Sequence, residues 1–316
     1  MVYSNPVTGT SQCTISDSIH YIGIGLHSGQ NVSMNLYPAA PNTGICFLRR
    51  DVEPEHMLIR ASWKNVVDTR LCTVLGNEYG VTISTVEHLL AALRSCGVDN
   101  LLIETNGDEI PILDGSCAPL VDMINKAGVV SQRLPRFGIW IERPIEVRQG
   151  ERYAILSPCE VPRITVDIEF ANAAIGSQCL SVDMVDNVFE TEIAPARTFG
   201  FAEELEQLHE QGLALGGSMR NAVLLDDERV VNEEGLRFAD EFARHKILDC
   251  LGDLALAGAP IFGQLYTHKP GHRLNNALLR EMFAHGDAWR RLTYEEINQR
   301  IDSQNSVGKS WINSAT

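Results

Sequence analysis

GVVSQRLPRFG, residues 128–138, has glycine at both ends and a proline inside, the composition of a turn-rich connection, and it divides the 316 residues into two runs of similar order. Before it, VSMNLYP (32–38), GICFLRR (44–50) and LLIE (101–104) read as short strands, with helical patterns at 84–96 and 117–126. After it, IWIERPIEVR (139–148), RYAILSP (152–158) and RITVDIEF (163–170) read as strands, and helices follow from about residue 201. Strands first and helices later in each half predict α+β layers rather than a doubly wound parallel sheet. The boundary falls near residue 130, giving domains 1–130 and 131–316. The halves also echo each other, His88, Gly97 and DNLLIE in one answering His245, Gly258 and APIFGQL in the other, once a gap is allowed.

Composition removes several classes of function. Hydrophobic residues at 44% and charged residues at 21% are those of a globular protein, so disorder, collagen repeats and coiled coil are disfavoured. The 41 acidic against 26 basic side chains give a charge of −15, which repels a polyphosphate backbone and speaks against nucleic-acid binding. The longest apolar run, 251–262, is interrupted by Asp253 and Pro260 and is short of the roughly 20 residues a membrane span needs. MVYSNPVTGTSQ lacks the basic and apolar regions of a signal peptide, and the eight cysteines contain no C-x-x-C pair. Reduced thiols in a cytoplasm are expected, with the residues before Cys13 poorly ordered.

Two helices point polar groups away from their apolar stripes. In STVEHLLAALRSCG (84–97), Val86, Leu89, Leu90 and Leu93 form the stripe, Ser84 can cap and Gly97 can terminate. His88 lies roughly 160° from the middle of that stripe, flanked by Ala91 and Ala92, small residues that suit a close-packed neighbour. Ser84-x-x-Glu87 matches a capping box, so the Glu87 carboxylate is claimed by two roles, a cap and a base; His88 alone reads as a surface histidine. In RFADEFARHKILDCLGDL (237–254), Ala243, Ile247, Leu251 and Leu254 form the core stripe, and His245, Asp249 and Asp253 stand opposite at i, i+4 and i+8. A bare H-x-x-x-D is usually a solvated pair, but Phe238 and Phe242 share its sector, which describes the lining of a cleft. Buried carboxylates there need a cation, and His88, His245 and Asp249 would give zinc three ligands and leave one position open. Cys250 projects away from His245, against a closed structural site. In THKPGHRLNN (267–276), His268 or His272 would serve as an acid beside such a cleft, the alternative being an ordinary exposed loop.

Taken together, STVEHLLAAL, EIPILDGSCAPLV, ARTFGF, LRFADEFARHKILDCLGDL and KPGHRLNNALL closely resemble the bacterial UDP-3-O-acyl-N-acetylglucosamine deacetylases, zinc hydrolases of the committed step of lipid A synthesis. The similarity runs in register from about residue 12 to about residue 290. It implies two similar two-layer α/β sandwich domains with the active site between them. It implies Zn2+ on His88, His245 and Asp249, a set that would also accept Fe2+. Glu87 is then the general base, His272 the general acid for the leaving amine, and Asp253 the carboxylate that keeps that imidazole charged. Thr198 helps hold the tetrahedral oxyanion, Phe199 packs on substrate, and Lys246 contacts the sugar nucleotide, with Arg152 where a family lysine serves a similar role. The apolar insert of about 199–231 becomes the passage for the acyl chain, lined by Leu205, Ala214, Gly217, Ser218 and Ala222.

The products would be UDP-3-O-acyl-glucosamine and acetate. The expected partner is therefore an acylated UDP-sugar, bound by a cytoplasmic monomer that touches the inner membrane at most transiently. A silent paralogue that only binds nucleotide sugar would lack Glu87, Asp253 or His272, and all three are present. A substrate without an acyl chain would leave the apolar insert unexplained. The polar tail after about Thr293 follows no family motif.

Overall fold

The computed structural model describes residues 9–159 and 161–313, with side chains through residue 303. Residues 1–8 of the leading segment lie outside the described residues, while Ser11 and Gln12 already belong to a strand, β1 (Ser11–Ile15), so order begins before Cys13.

Helix and sheet are mixed in the α+β manner expected. One five-stranded sheet runs β2 (Ile19–Ile24), β3 (Asn31–Pro38), β9 (Leu101–Thr105), β4 (Ile45–Arg49), β5 (Leu58–Arg60). A second runs β12 (Ile145–Gln149), β13 (Arg152–Ser157), β19 (Gln264–His268), β14 (Arg163–Glu169), β15 (Ser177–Asp183). In both, the third and fourth strands pair in parallel and the other neighbours are antiparallel. A parallel pair needs a crossover, and each crossover here carries a helix. α1 (Glu87–Ser95) leads through Gly97, at φ 76°, into β9. α4 (Glu241–Leu254) leads through Gly258, at φ 82°, into β18 (Ile261–Phe262) and then β19. Both glycines take the left-handed conformation that ends a helix without a Cβ penalty.

Strand periodicity turns Val32, Met34 and Leu36 of β3 and Ile164, Val166 and Ile168 of β14 into the core. α4 packs on β14, α5 (His272–Ala284) packs on β12 and β13, and α1 packs on α4. The α1–α4 approach is as close as the alanines suggested: Ala91 and Ala92 are fully buried, and a Cβ on Gly252 would collide with the Glu87 carbonyl.

Smaller elements complete the molecule. β6 (Val66–Asp68), β7 (Val74–Gly76) and β8 (Thr82–Ile83) form a short sheet before α1, and α2 (Ala118–Ala127) follows β9. β16 (Phe199–Phe201) and β17 (Val223–Leu225) pair in parallel around α3 (Leu205–Glu210). β11 (Phe137–Ile141) lies between β18 and β20 (Trp289–Thr293). The polar tail is α6 (Tyr294–Asn313), whose Ile297 and Ile301 pack with Trp140.

Residues 128–138 are not a turn-rich linker. Val129–Pro135 is a strand, β10, paired antiparallel with β1. Its side chains are mostly exposed, so it carries no apolar alternation, and its partner lies at the other end of the first half of the chain. No helix among the described residues is long and apolar enough to cross a membrane. All eight cysteines are free.

Candidate active site

The start of α1 settles the competition for Glu87. Ser84 does not cap the helix: its amide and its hydroxyl both donate to the Asp108 carbonyl. Thr85 follows at φ 56°, a left-handed turn that is strained for a β-branched residue, and its hydroxyl donates to Glu109 Oε1. That turn takes Ser84 off the helix end, and α1 opens at Glu87 with no side-chain cap. The capping box is therefore absent, and Glu87 Oε2 instead accepts from the Thr73 amide at 3.1 Å. His88 is likewise no surface histidine, being 6% exposed in the crevice between α1 and α4.

α4 begins at Glu241, later than the pattern from Arg237 suggested, because the Glu241 carboxylate accepts from the Arg237 amide and from the buried Arg197 guanidinium at 2.9 Å. Phe238 consequently lies outside the helix, under the Arg244 guanidinium, and does not frame the cleft. The aromatic beside the site is Phe199 from β16, whose ring centroid is 4.9 Å from Phe242 and 6.2 Å from His245.

His88, His245 and Asp249 meet where the two helices cross. Each offers a ligand atom within 4.8 Å of the others. Asp249 Oδ1 lies 3.4 Å from His245 Nε2 and 3.8 Å from His88 Nε2. The Nδ1 of His245 is 3.1 Å from the Ala196 carbonyl, which can only accept, so Nδ1 holds the proton and Nε2 presents its lone pair to the cluster. Burial drives both imidazoles toward the neutral form, His88 to about 3 with help from the neighbouring His245. Asp249 stays ionised: burial opposes its charge, but Lys246, 2.8 Å from Oδ2, and the imidazoles hold its pKa well below the carboxylate range. Two neutral imidazoles and one carboxylate are a zinc-type donor set. The His88 imidazole is buried with no hydrogen-bond partner for Nδ1, so its placement answers to something other than protein hydrogen bonding. The residues fit a divalent ion. Cys250 is turned away, 3.7 Å from Asn275 Oδ1.

On the far side stands a charged pair of opposite tendencies. His272 Nε2 is 3.7 Å from Glu87 Oε1, and His272 Nδ1 is 2.8 Å from Asp253 Oδ2. Burial pushes Glu87 up to about 7, with the nearby Asp253 and Asp249 adding to it and His272 opposing. Burial alone would lower His272, but Asp253 and then Glu87 raise it to about 10. At neutral pH one side chain is poised to take a proton and the other to give one. The stretch 267–276 is not one loop: His268 ends β19 and pairs with Asp167 at 2.8 Å, while His272 opens α5 and faces the cleft.

A cleft of about 1060 Å3 joins these groups to the insert. Thr198, Phe199, Lys246, Arg152, Leu205, Ala214, Gly217, Ser218 and Ala222 all line it; of the expected residues Asp253 alone stands behind the wall, acting on His272. Lys246 Nζ sits 5.2 Å over the Phe199 ring, and Arg152 lies at the mouth beside Gly271. No local pattern marks Thr73, whose hydroxyl donates to Asp253 Oδ1 at 2.5 Å, or Asn275, which donates to Asp253 Oδ2 at 2.8 Å. Nor does any mark His27, whose amide donates to the buried Glu109 and whose ring lines the cleft.

The sequence model of the UDP-3-O-acyl N-acetylglycosamine deacetylases matches residues 12–284. Among curated relatives, the UDP-3-O-acyl-N-acetylglucosamine deacetylase of Tolumonas auensis is 46% identical over 90% of this chain and 94% of its own length. Those of Vibrio parahaemolyticus, 46% identical over 90% and 94%, and Haemophilus influenzae, 45% identical over 91% and 95%, are similar to the same extent.

Proposed function

The chain belongs to the UDP-3-O-acyl N-acetylglycosamine deacetylase family, enzymes that hydrolyse an amide, and from that premise we propose that it removes the N-acetyl group of UDP-3-O-acyl-N-acetylglucosamine with a zinc ion, giving UDP-3-O-acyl-glucosamine and acetate. The observation that carries this reading is the facing of Glu87 and His272 across 3.7 Å beside the His88, His245 and Asp249 cluster.

His88, His245 and Asp249 would hold the zinc, which supplies a Lewis acid for the amide carbonyl and acidifies water toward a pKa of ~7. Glu87, held by the Thr73 amide, takes the proton of the attacking water on Oε1. The tetrahedral oxyanion forms beside Thr198 at the cleft wall, whose hydroxyl donates to it. His272 gives its Nε2 proton to the departing nitrogen, and Asp253, itself held by Thr73 and Asn275, keeps that imidazole charged and aimed. The carbon–nitrogen bond breaks, leaving acetate and a free glucosamine amine. Lys246 and Arg152 place positive charge where the UDP diphosphate must approach a chain of charge −15. Phe199 packs on the substrate, and Leu205, Ala214, Gly217, Ser218 and Ala222 line the route of the acyl chain.

The donor set equally accommodates Fe2+ as the metal loaded in the cell. The reaction is the committed step of lipid A synthesis, carried out by a cytoplasmic monomer whose acylated ligand gives it transient contact with the inner membrane. The deciding experiment is deacetylation of UDP-3-O-acyl-N-acetylglucosamine by metal-stripped and zinc-restored protein, with Glu87→Ala and His245→Ala alongside. Activity that returns with zinc and collapses in both variants supports the reading. Zinc binding without turnover at any acyl length would leave a protein that binds nucleotide sugar but does not cleave it.

A further inference from the structure

A second cavity, of about 220 Å3, lies away from the cleft at the opposite ends of α1 and α4. Arg94, in the last turn of α1, lines it, as do Leu254 and Ala255 at the end of α4. Ile261 and Phe262 of β18 add an apolar wall, and Tyr294 of α6 another. That last wall is built from chain beyond residue 284, outside the region the family model matches, so the cavity in this form is not a property of the matched region.

Arg94 is the anomaly. Its Nε and Nη1 are buried with no hydrogen-bond partner, and Nη2 has only a 3.5 Å contact to the Ala255 carbonyl. Burial lowers its pKa, with Asp99 opposing, yet a guanidinium so far above neutrality keeps its charge. The other lining guanidinium groups are taken: Arg136 by Asp99 at 2.9 Å and Arg163 by Asp183 at 2.5 Å. Asp186 is the carboxylate among the described lining residues, and it has a partner of its own. Arg94 is half-buried, and its two buried N–H groups, unused and beside an apolar chamber, carry a desolvation cost that an anion removes.

We propose that this cavity is a binding site for a small organic carboxylate with an apolar body, its carboxylate accepting from the free Arg94 N–H groups and its hydrocarbon lying against Leu254, Ile261 and Phe262. The chamber is smaller than the roughly 300–1,000 Å3 of sites for drug-sized ligands, which limits the body to a short chain or single ring. Apolar walls favour such a carboxylate over inorganic phosphate, which would leave most of the chamber empty.

The test is to soak and titrate the full-length protein with 8-bromooctanoate, locating bromine by anomalous scattering and affinity by calorimetry, with octylammonium and inorganic phosphate as comparison probes. Bromine density in this cavity, with binding weakened at least tenfold in Arg94→Met and absent for octylammonium, supports the proposal. Because Arg94→Met removes a half-buried group and can fail to fold, Ala259→Leu, which narrows the cavity and keeps Arg94, is measured too and should weaken binding similarly. Bromine found only in the active-site cleft, water alone at Arg94, phosphate binding as well as the carboxylate, or unchanged affinity in Ala259→Leu overturns it.

Discussion

The Nδ1 of His272 lies 2.8 Å from Oδ2 of Asp253, and that carboxylate also accepts from Asn275 and Thr73, so two further donors fix the group that orients His272. Asp253→Asn keeps the shape but removes the charge that raises His272. The expected result is a fall in kcat of about 10²-fold, with the descending limb of the pH profile moved to lower pH. A lower kcat with an unmoved limb would make Asp253 a mere structural support.

Wild-type kcat/KM should rise as pH climbs through about 7, where Glu87 becomes a base, and fall through about 10, where His272 loses its proton. A dication on the neighbouring ligands favours the carboxylate and moves the rising limb to lower pH, never higher. Glu87→Gln should abolish that limb and cost about 10²–10⁴ in kcat. Steady-state rates from pH 5 to 11 check both limbs.

Metal content separates ligands from proton carriers. After dialysis, His88→Ala, His245→Ala and Asp249→Ala are expected to retain little metal by mass spectrometry, while Glu87→Gln and His272→Gln retain nearly all of it. Full loading of His245→Ala would remove it from the ligand set.

The α1–α4 spacing depends on a missing methyl. Gly252→Ala would press a Cβ against the Glu87 carbonyl, which is backbone and cannot swing aside. We expect a loss of about 1–3 kcal/mol in urea unfolding, with kcat reduced as His88 and Asp249 separate. An unchanged midpoint would mean that the helices have slack.

Arg197 and Glu241 form a buried pair, 3% and 0% exposed, behind the site. Arg197→Met should destabilise by about 3–5 kcal/mol because it strands a buried carboxylate. In the folded protein burial works to raise the Glu241 pKa, but the Arg197 contacts outweigh it and hold the pKa below the ordinary value of 4.5. Its contribution is therefore present above that value and lost as pH falls through the lower folded one. Unfolding midpoints from pH 3 to 7 should decline toward acid in the wild type and show less decline in the variant.

The grouping of His88, His245 and Asp249 was legible in part, because helical periodicity sets each opposite an apolar stripe, although on periodicity alone each reads equally as a surface group. What local pattern could not supply were the partners from distant chain. Thr73 and Asp253 are 180 residues apart, and no spacing rule connects them. Ser84-x-x-Glu87 fits a cap, and it is the left-handed Thr85 turn, its hydroxyl bonded to Glu109, together with the Ser84 bonds to Asp108 that exclude it. Phe238 was assigned to the cleft by extending the α4 period four residues too early, past the point where Glu241 stops it. The same limit applies to the fold: β3, β4, β9, β13 and β14 announce themselves by alternation, whereas β10 is a strand only because β1 lies beside it.

That pairing has a topological consequence. With β1 and β10 side by side, the chain leaves its first half next to where it came in, Ile15 opposite Val129 and Ser11 opposite Pro135. The first half is thus a closed loop of polypeptide whose two ends are stitched together by a ladder as well as by the core that buries Cys13 and Ile15. Such an arrangement lets the chain be cut and rejoined elsewhere, in a circular permutant opened at an exposed turn, while the first half keeps the same neighbours.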